Sequence, residues 1–316
     1  MKKIVSLLLV AMFLVSMLSV AVAEKAETVV VSVVNAEDEY IDVEFPLDPK
    51  RVVCLNWQTV DFLDAVGLGD RIVGVIKSGT HPKHLAKYVE DENIVNVGGM
   101  KDVDMEAVME LAPDVIFASD RTAKKYEEFS FIAPTMAAFV DYEMGFMVGY
   151  RKLAENHAKI FGLGDVVGEK IAAYDARIAK IAEFAKGKTA LLGIFAGGLN
   201  TLGNVGRCSI IVNEMGFENL AGDKNVNHGN VTSYEVFNKL NPDYMFILDK
   251  DTAVGAEAVA AKEQMEVNNP LIAETNAFKN GNIIYLTPGE AWYIADGGIT
   301  SLDEMISCIE VGLGLK

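Results

Sequence analysis

Residues 105–117, MEAVMELAPDVIF, return 129 positions later as residues 234–246, YEVFNKLNPDYMF. Glu106, Leu111, Pro113, Asp114 and Phe117 match Glu235, Leu240, Pro242, Asp243 and Phe246 at that single offset. Each copy opens with a short helical run. A proline then stops it, because proline lacks the amide hydrogen and its ring clashes with the preceding turn. The run that follows, Asp114 to Ala118 in the first copy, reads as a buried strand. Extending the register pairs Asp120 with Asp249 and Arg121 with Lys250. Both halves of the chain therefore predict a helix, a Pro-Asp turn, a buried strand and a cation at the strand's carboxyl end. In open α/β sheets that end is where ligands bind. Five identities in one register point to a duplicated unit rather than to two unrelated segments.

The same rhythm continues outward from the two copies. Arg51-Val52-Val53-Cys54-Leu55 reads as a strand, Thr59 to Val66 as a short helix ending at Gly67, and Ile72-Val73-Gly74-Val75 as a strand again. Such alternation predicts parallel sheets covered by helices. Between the halves, Val167, Ile171, Tyr174, Ile178, Ile181 and Phe184 recur at steps of three and four. That spacing predicts one long amphipathic helix over 166–186, ended by Gly187 and followed by a strand from Thr189 to Ala196. The expected architecture is α/β. Two doubly wound parallel-sheet lobes, 24–165 and 187–316, are joined by a single long α-helix, with a ligand cleft between them. A stiff helical connector permits small hinge motions rather than large ones.

The first segment belongs to export rather than to the fold. Lys2 and Lys3 precede an apolar run from Ile4 to Val20, and Ala21-Val22-Ala23 follows. Basic start, apolar middle and A-x-A end predict a signal peptide over 1–23. An uncleaved anchor is the alternative reading, since the run is near the shortest that spans a bilayer. No cysteine follows the run directly, so lipid attachment is not indicated. The mature chain is expected in the periplasm or on the extracytoplasmic face of the cell membrane.

The chain has 316 residues, 51% hydrophobic and 23% charged, which excludes global disorder and provides for two cores. Its net charge is −17, and removal of Lys2 and Lys3 takes it to −19. A chain this acidic does not coat nucleic acid or an anionic membrane. An anionic ligand therefore requires a local basic pocket. Cys54, Cys208 and Cys308 form neither a disulfide framework nor a zinc site, with a single Cys208–Cys308 bridge as the lesser alternative to free thiols. There is no GxSxG, HExxH, P-loop or post-strand GxGxxG, and the four histidines form no paired motif, so an enzyme is not expected. The glycines at 197, 198, 203 and 206 have the wrong spacing for a nucleotide loop; they bring backbone and Arg207 close to a ligand.

Five blocks in order carry a family resemblance: VDMEAVMELAPDVIFASDR, KYEEFSFIAPT, LGNVGRCSIIVNEMGF, NHGNVTSYEVFNKLNPDYMFILDK and IIYLTPGEAWYIADGG. Over roughly residues 45–316 the chain resembles the rigid-helix (class III) substrate-binding proteins of ABC iron importers, in their catecholate-binding branch. The resemblance implies a monomeric binding protein without enzymatic activity or intrinsic cofactor, whose ligand is a ferric siderophore and whose partner is a permease dimer. It assigns Arg121, Arg207 and Lys250 to the ferric complex. The family prefers Arg where this chain has Lys250, and Lys keeps the charge but loses the planar fork. The resemblance offers His228 and Tyr293 as direct ligands to the bound iron, with Trp292 beside them in the ligand site. Glu106 and Glu235 would dock onto the two permease subunits.

The chemistry of that assignment is coherent. Ferric catecholates are anionic, and several desolvated cations facing them supply affinity, with planar Arg also stacking on aromatic rings. A siderophore that leaves iron positions open accepts imidazole nitrogen and phenolate oxygen there. Plainer roles stand beside these. Arg121 and Lys250 also fit solvated turn positions, Arg207 fits an ion pair with Glu214 or Glu218, and Trp57 and Trp292 fit either the cleft lining or core packing. His81-Pro82-Lys83-His84 reads as a rim loop rather than a metal site. Haem, cobalamin or a ferric hydroxamate is the alternative cargo, needing fewer cations; an exported metal-dependent enzyme is the alternative of another class.

Overall fold

The computed structural model describes residues 27–222, 230–231, 234–256, 260–267 and 269–316, so the proposed signal segment and His228 lie outside the described residues. An antiparallel hairpin comes first, β1 (Thr28–Val34) and β2 (Tyr40–Pro46). The first lobe then alternates strands and helices: β3 (Val52–Cys54), α1 (Trp57–Ala65), β4 (Ile72–Val75), β5 (Val95–Asn96), α2 (Met105–Glu110), β6 (Val115–Ala118) and β7 (Thr135–Ala137). These strands form a five-stranded sheet in the order β5-β4-β3-β6-β7, with every pairing parallel. Helices α3 (Phe146–Phe161) and α4 (Gly164–Ala185) follow. The second lobe contains β8 (Thr189–Phe195), β9 (Leu199–Thr201), β10 (Glu218–Asn219), β11 (Asn230–Val231), α5 (Tyr234–Leu240), β12 (Tyr244–Asp249), α6 (Lys250–Ala253) and β13 (Ile283–Tyr285). Its sheet runs β11-β9-β8-β12-β13, with β10 on β8. Helices α7 (Gly289–Tyr293) and α8 (Ile299–Gly312) close the chain.

The sequence repeat is a structural repeat. β6 lies parallel to β3, and β12 lies parallel to β8, so each duplicated strand sits beside the first strand of its own lobe. The residue before each repeated proline takes a left-handed backbone, Ala112 at φ 42° and Asn241 at φ 45°. The repeated aspartate then does the same work twice. Asp114 Oδ2 accepts from the amides of Lys50 and Arg51 at 2.8 and 2.9 Å, just ahead of β3. Asp243 Oδ2 accepts from the amide and hydroxyl of Thr189, both at 2.9 Å, at the start of β8. Each carboxylate thus ties two neighbouring strands at their amino ends and satisfies donors that the sheet ladder leaves open.

The second sheet departs from all-parallel pairing at one side. β9 runs antiparallel to β8, and β11 antiparallel to β9. β8 and β9 are joined by three residues, Ala196 to Gly198, with Gly197 at φ +66°. A parallel pairing needs a crossover of a dozen or more residues, so this link permits only a hairpin. In the first lobe, α1 supplies the crossover between β3 and β4, and they pair in parallel.

α4 begins two residues before the expected start and buries Val167, Ile171, Tyr174, Ile178 and Ile181, with Phe184 partly buried. Burial on both faces of β8 and β12 explains their unbroken apolar runs. Leu192, Ile194, Phe246 and Leu248 join a cluster that continues through α4 and α8 into the first lobe. Leu191, Phe195, Met245 and Ile247 point to a separate cluster on the other face.

A second tie between the halves comes from α8, which returns to pack on α1 and α4. Its N-cap, Gly298, offers no side chain, and Asp61 of α1 caps the helix instead. Asp61 is fully buried and accepts from the Thr300 amide at 2.7 Å, the Ser301 amide at 3.0 Å and the Ser301 hydroxyl at 2.7 Å. Arg177 on α4 pairs with Asp303 and Glu310 on α8, both at 2.6 Å. The Tyr174 hydroxyl donates to the Ile299 carbonyl at 2.9 Å.

Candidate functional site

Between the lobes lies a cavity of about 930 Å³. Its walls come from the segments after the strands of both sheets, the ends where open α/β sheets bind ligands. Ser78 to Thr80 follow β4, Gly98 to Asp102 follow β5, Asp120 and Arg121 follow β6, and Phe139 to Glu143 follow β7. From the other lobe come Arg207 after β9, Lys250 and Val254 after β12, and Tyr293, Ile294 and Asp296 after β13. Ser78 and Gly98 are held together by an amide-to-carbonyl bond of 3.3 Å. Gly98, at φ +93°, leaves no room for a side chain, since a Cβ there would stand 2.2 Å from the Asp102 carbonyl oxygen.

The structure brings Arg121, Arg207, Lys250 and Tyr293 to this one cavity. Arg121 is exposed on a tight turn in which Ser119 and Thr122 bond each other's amides and hydroxyls. Lys250 is the first residue of α6, at the same place after β12. Arg207 is largely buried. Its guanidinium carbon stands 4.1 Å from the centre of the Tyr293 ring, a cation–π geometry. Its Nε is buried without a hydrogen-bond partner, and no ion pair among the described residues joins it to Glu214 or Glu218. Glu214 instead accepts from the Met147 amide at 3.0 Å.

Trp292 is not on the cavity wall. It is 1% exposed and packs in the core, because α7 turns Tyr293 to the cleft and Trp292 to the opposite side. Trp57 is likewise core. Glu106 and Glu235 are exposed in the first turns of α2 and α5, away from the cavity lining. The His81–His84 loop bridges the lobes. Thr80 Oγ1 donates to the Val254 carbonyl at 2.6 Å, and Lys83 lies 3.8 Å from Glu290. His84 Nε2 sits 3.0 Å from Asp61. Burial disfavours the charged His84 ring, yet the bond and charge of Asp61 outweigh it and raise its pKa. No group of three or more His, Cys, Asp or Glu among the described residues is arranged for a metal ion. All three cysteines are free thiols.

Sequence reasoning missed the floor of the cleft. Asp296 is 4% exposed, and two side chains from the first lobe reach across to it. Gln58 Nε2 donates to its Oδ1 at 2.9 Å, and the Tyr142 hydroxyl donates to Oδ2. Burial raises the Asp296 pKa, with the nearby Arg207 charge opposing. Burial and the Asp296 charge push the Tyr142 phenol well above its usual value, so it stays a donor. The floor is thus a hydrogen-bonded patch shared by both lobes beside Arg207. Only the block IIYLTPGEAWYIADGG, which contains Asp296, carried any signal of it.

The periplasmic binding protein family model matches residues 52–289. The petrobactin-binding protein YclQ of Bacillus subtilis is 36% identical over 275 residues, 85% of this chain and 84% of that protein. Its crystal structure matches with a TM-score of 0.82 at 34% identity, covering 91% of this chain and 99% of that one. The ferric-anguibactin-binding protein FatB of Vibrio anguillarum is 29% identical over 273 residues, 84% of this chain and 82% of that protein. The periplasmic catecholate-siderophore binding protein VctP of Vibrio cholerae matches with a TM-score of 0.81 at 28% identity, over 90% of this chain and 100% of that one. All three are named for binding rather than for catalysis.

Proposed function

We propose that this chain, which belongs to the periplasmic binding protein family, captures an anionic ferric siderophore of the catecholate type and delivers it to an ABC importer. It acts outside the cytoplasm and without catalysis; no helix among the described residues is long and apolar enough to cross a membrane. One observation carries the reading of the cargo. Cations from both lobes converge on one cleft, Arg121 from the first and Arg207 and Lys250 from the second, and Arg207 is set back into its wall. A poorly solvated cation in the cleft wall attracts an anionic ligand with less screening than an exposed one. The binding roles named in the relatives agree with that chemistry. Tyr293 lines the cleft beside Arg207 and serves as the phenolate ligand when the chelate leaves iron positions open. His228 is assigned as its partner from the family resemblance alone.

Titrating the exported chain with ferric catecholates and ferric hydroxamates, followed by intrinsic tryptophan fluorescence, tests the cargo. Saturable quenching by catecholates and none by hydroxamates is expected. Equal quenching by both, or none by either, rejects the catecholate reading.

Glu106 and Glu235 occupy equivalent exposed positions in the duplicated unit, one per lobe. Such placement suits a partner with two similar subunits, and they are assigned to permease docking. Reversing both to Lys is expected to abolish ferric siderophore uptake by cells while the purified protein keeps its affinity. Uptake at the wild-type rate would remove them from the docking surface.

A further inference from the structure

Both nitrogens of the half-buried His84 ring face carboxylates, and the two carboxylates belong to different lobes. Nε2 stands 3.0 Å from Asp61 Oδ2 on α1 of the first lobe. Nδ1 stands 4.0 Å from Glu304 Oε2 on α8 of the second, the helix that Asp61 caps. That Glu304 oxygen is buried and has no hydrogen-bond partner among the described residues. A neutral imidazole carries one N–H and serves one of these oxygens. An imidazolium carries two and attracts both. His84 also ends a strap that borders the cleft. Ser78, Gly79 and Thr80 line the cavity, and Thr80 Oγ1 donates to the Val254 carbonyl of the opposite wall at 2.6 Å. The His81 ring packs on Trp57, with ring centres 5.4 Å apart. The remaining charges around His84 come from three elements. Asp64 of α1 is held by Lys87 at 2.5 Å and by the Tyr88 hydroxyl at 2.7 Å. Glu290 of α7 lies 3.8 Å from Lys83, whose side chain is exposed, so that pair contributes little.

We propose that residues 78–84 form a proton-operated strap: protonated His84 ties Asp61 of the first lobe to Glu304 of the second, holds the Ser78–Thr80 edge of the cleft against Val254, and slows departure of the cargo. The cargo's identity rests on the ferric catecholate reading above; the strap itself does not depend on it. Burial disfavours the charged ring, but the bond and charge of Asp61, with the charges of Glu304 and Asp64 behind it, raise the His84 pKa. The tie is therefore complete below the ordinary histidine value of about 6.5 and is lost as pH rises through the raised one. Burial also lifts the Glu304 carboxyl above its ordinary value, so the tie fades again in strong acid. His157, buried and lowered to about 4, stays neutral near neutral pH and takes no part.

Hydrogen exchange of the unliganded protein, read on peptides spanning 77–85, tests the strap at about pH 6 and about pH 9. In acid the wild type is expected to exchange about three- to tenfold more slowly than His84→Gln, the size of one or two partly screened ion pairs. At the alkaline value the two are expected to match, since Gln keeps a neutral donor. Glu304→Gln leaves the Asp61 cap in place and is expected to lose most of the same protection. Equal exchange of the wild type and both variants in acid, or a difference that persists in alkali, overturns the strap. A chase of bound ferric catecholate then compares wild type with His84→Gln at each pH, so that changes in the chelate itself cancel. Departure about three- to tenfold slower from the wild type in acid only is expected. Equal departure rates at both pH values overturn the strap's hold on the cargo. If no ferric catecholate binds, the cargo reading fails and the exchange result alone decides the strap.

Discussion

Arg207→Ala is expected to weaken ferric catecholate binding by about 2–3 kcal/mol, roughly 30- to 150-fold in Kd. The side chain lies in the wall of the cleft, its Nε buried and unpaired, and its guanidinium stacks on Tyr293. Its attraction to an anion is therefore exerted from a poorly solvated position, where it is screened far less than at an open surface. Arg121 is exposed, so its truncation is expected to cost less. Arg207→Lys restores part of the loss, keeping the charge but not the planar stack or fork. Fluorescence titration of the three proteins, with circular dichroism to confirm folding, measures this. A wild-type Kd in Arg207→Ala would take Arg207 out of the binding site.

Asp61→Ala is expected to destabilise the protein by about 3 kcal/mol without touching any cleft residue directly. The carboxylate receives two amides and a hydroxyl from the start of α8, and His84 from the rim loop. Removing it leaves buried donors unsatisfied, and each costs about 1–3 kcal/mol. It also uncaps a helix whose own N-cap is Gly298. Gly298→Ala attacks the same joint from the other side, since a Cβ there would lie 2.3 Å from Asp61 Cγ. Urea unfolding of both variants is the measurement. A change below about 0.5 kcal/mol in Asp61→Ala would show that the α1–α8 joint does not hold the lobes.

Local pattern carried much of this protein. The duplicated Glu–Leu–Pro-Asp–Phe spacing was legible because the turn before a buried strand needs the same chemistry in each copy, and the structure adds why Asp is there: it satisfies the neighbouring strand's first amides. The steps of three and four from Val167 to Phe184 were legible because a helix repeats its buried face locally. The antiparallel β9 was open to a stricter reading of the same letters, since three residues after β8 cannot hold a crossover.

The cleft floor belongs to tertiary structure. Gln58 and Tyr142 meet Asp296 from 238 and 154 residues away, and nothing near any of the three announces the others. Trp292 and Tyr293 are neighbours with similar chemistry, yet one is core and the other lines the cleft. Their direction depends on how α7 packs, not on their identity. The chain's letters decided the two similar α/β units, the long helix between them and the cations at strand ends, because those depend on spacing along the chain. Which side chains face each other across the cleft, and so the balance of charge a ligand meets there, was decided only by packing the lobes together, because electrostatic energy depends on distance in space.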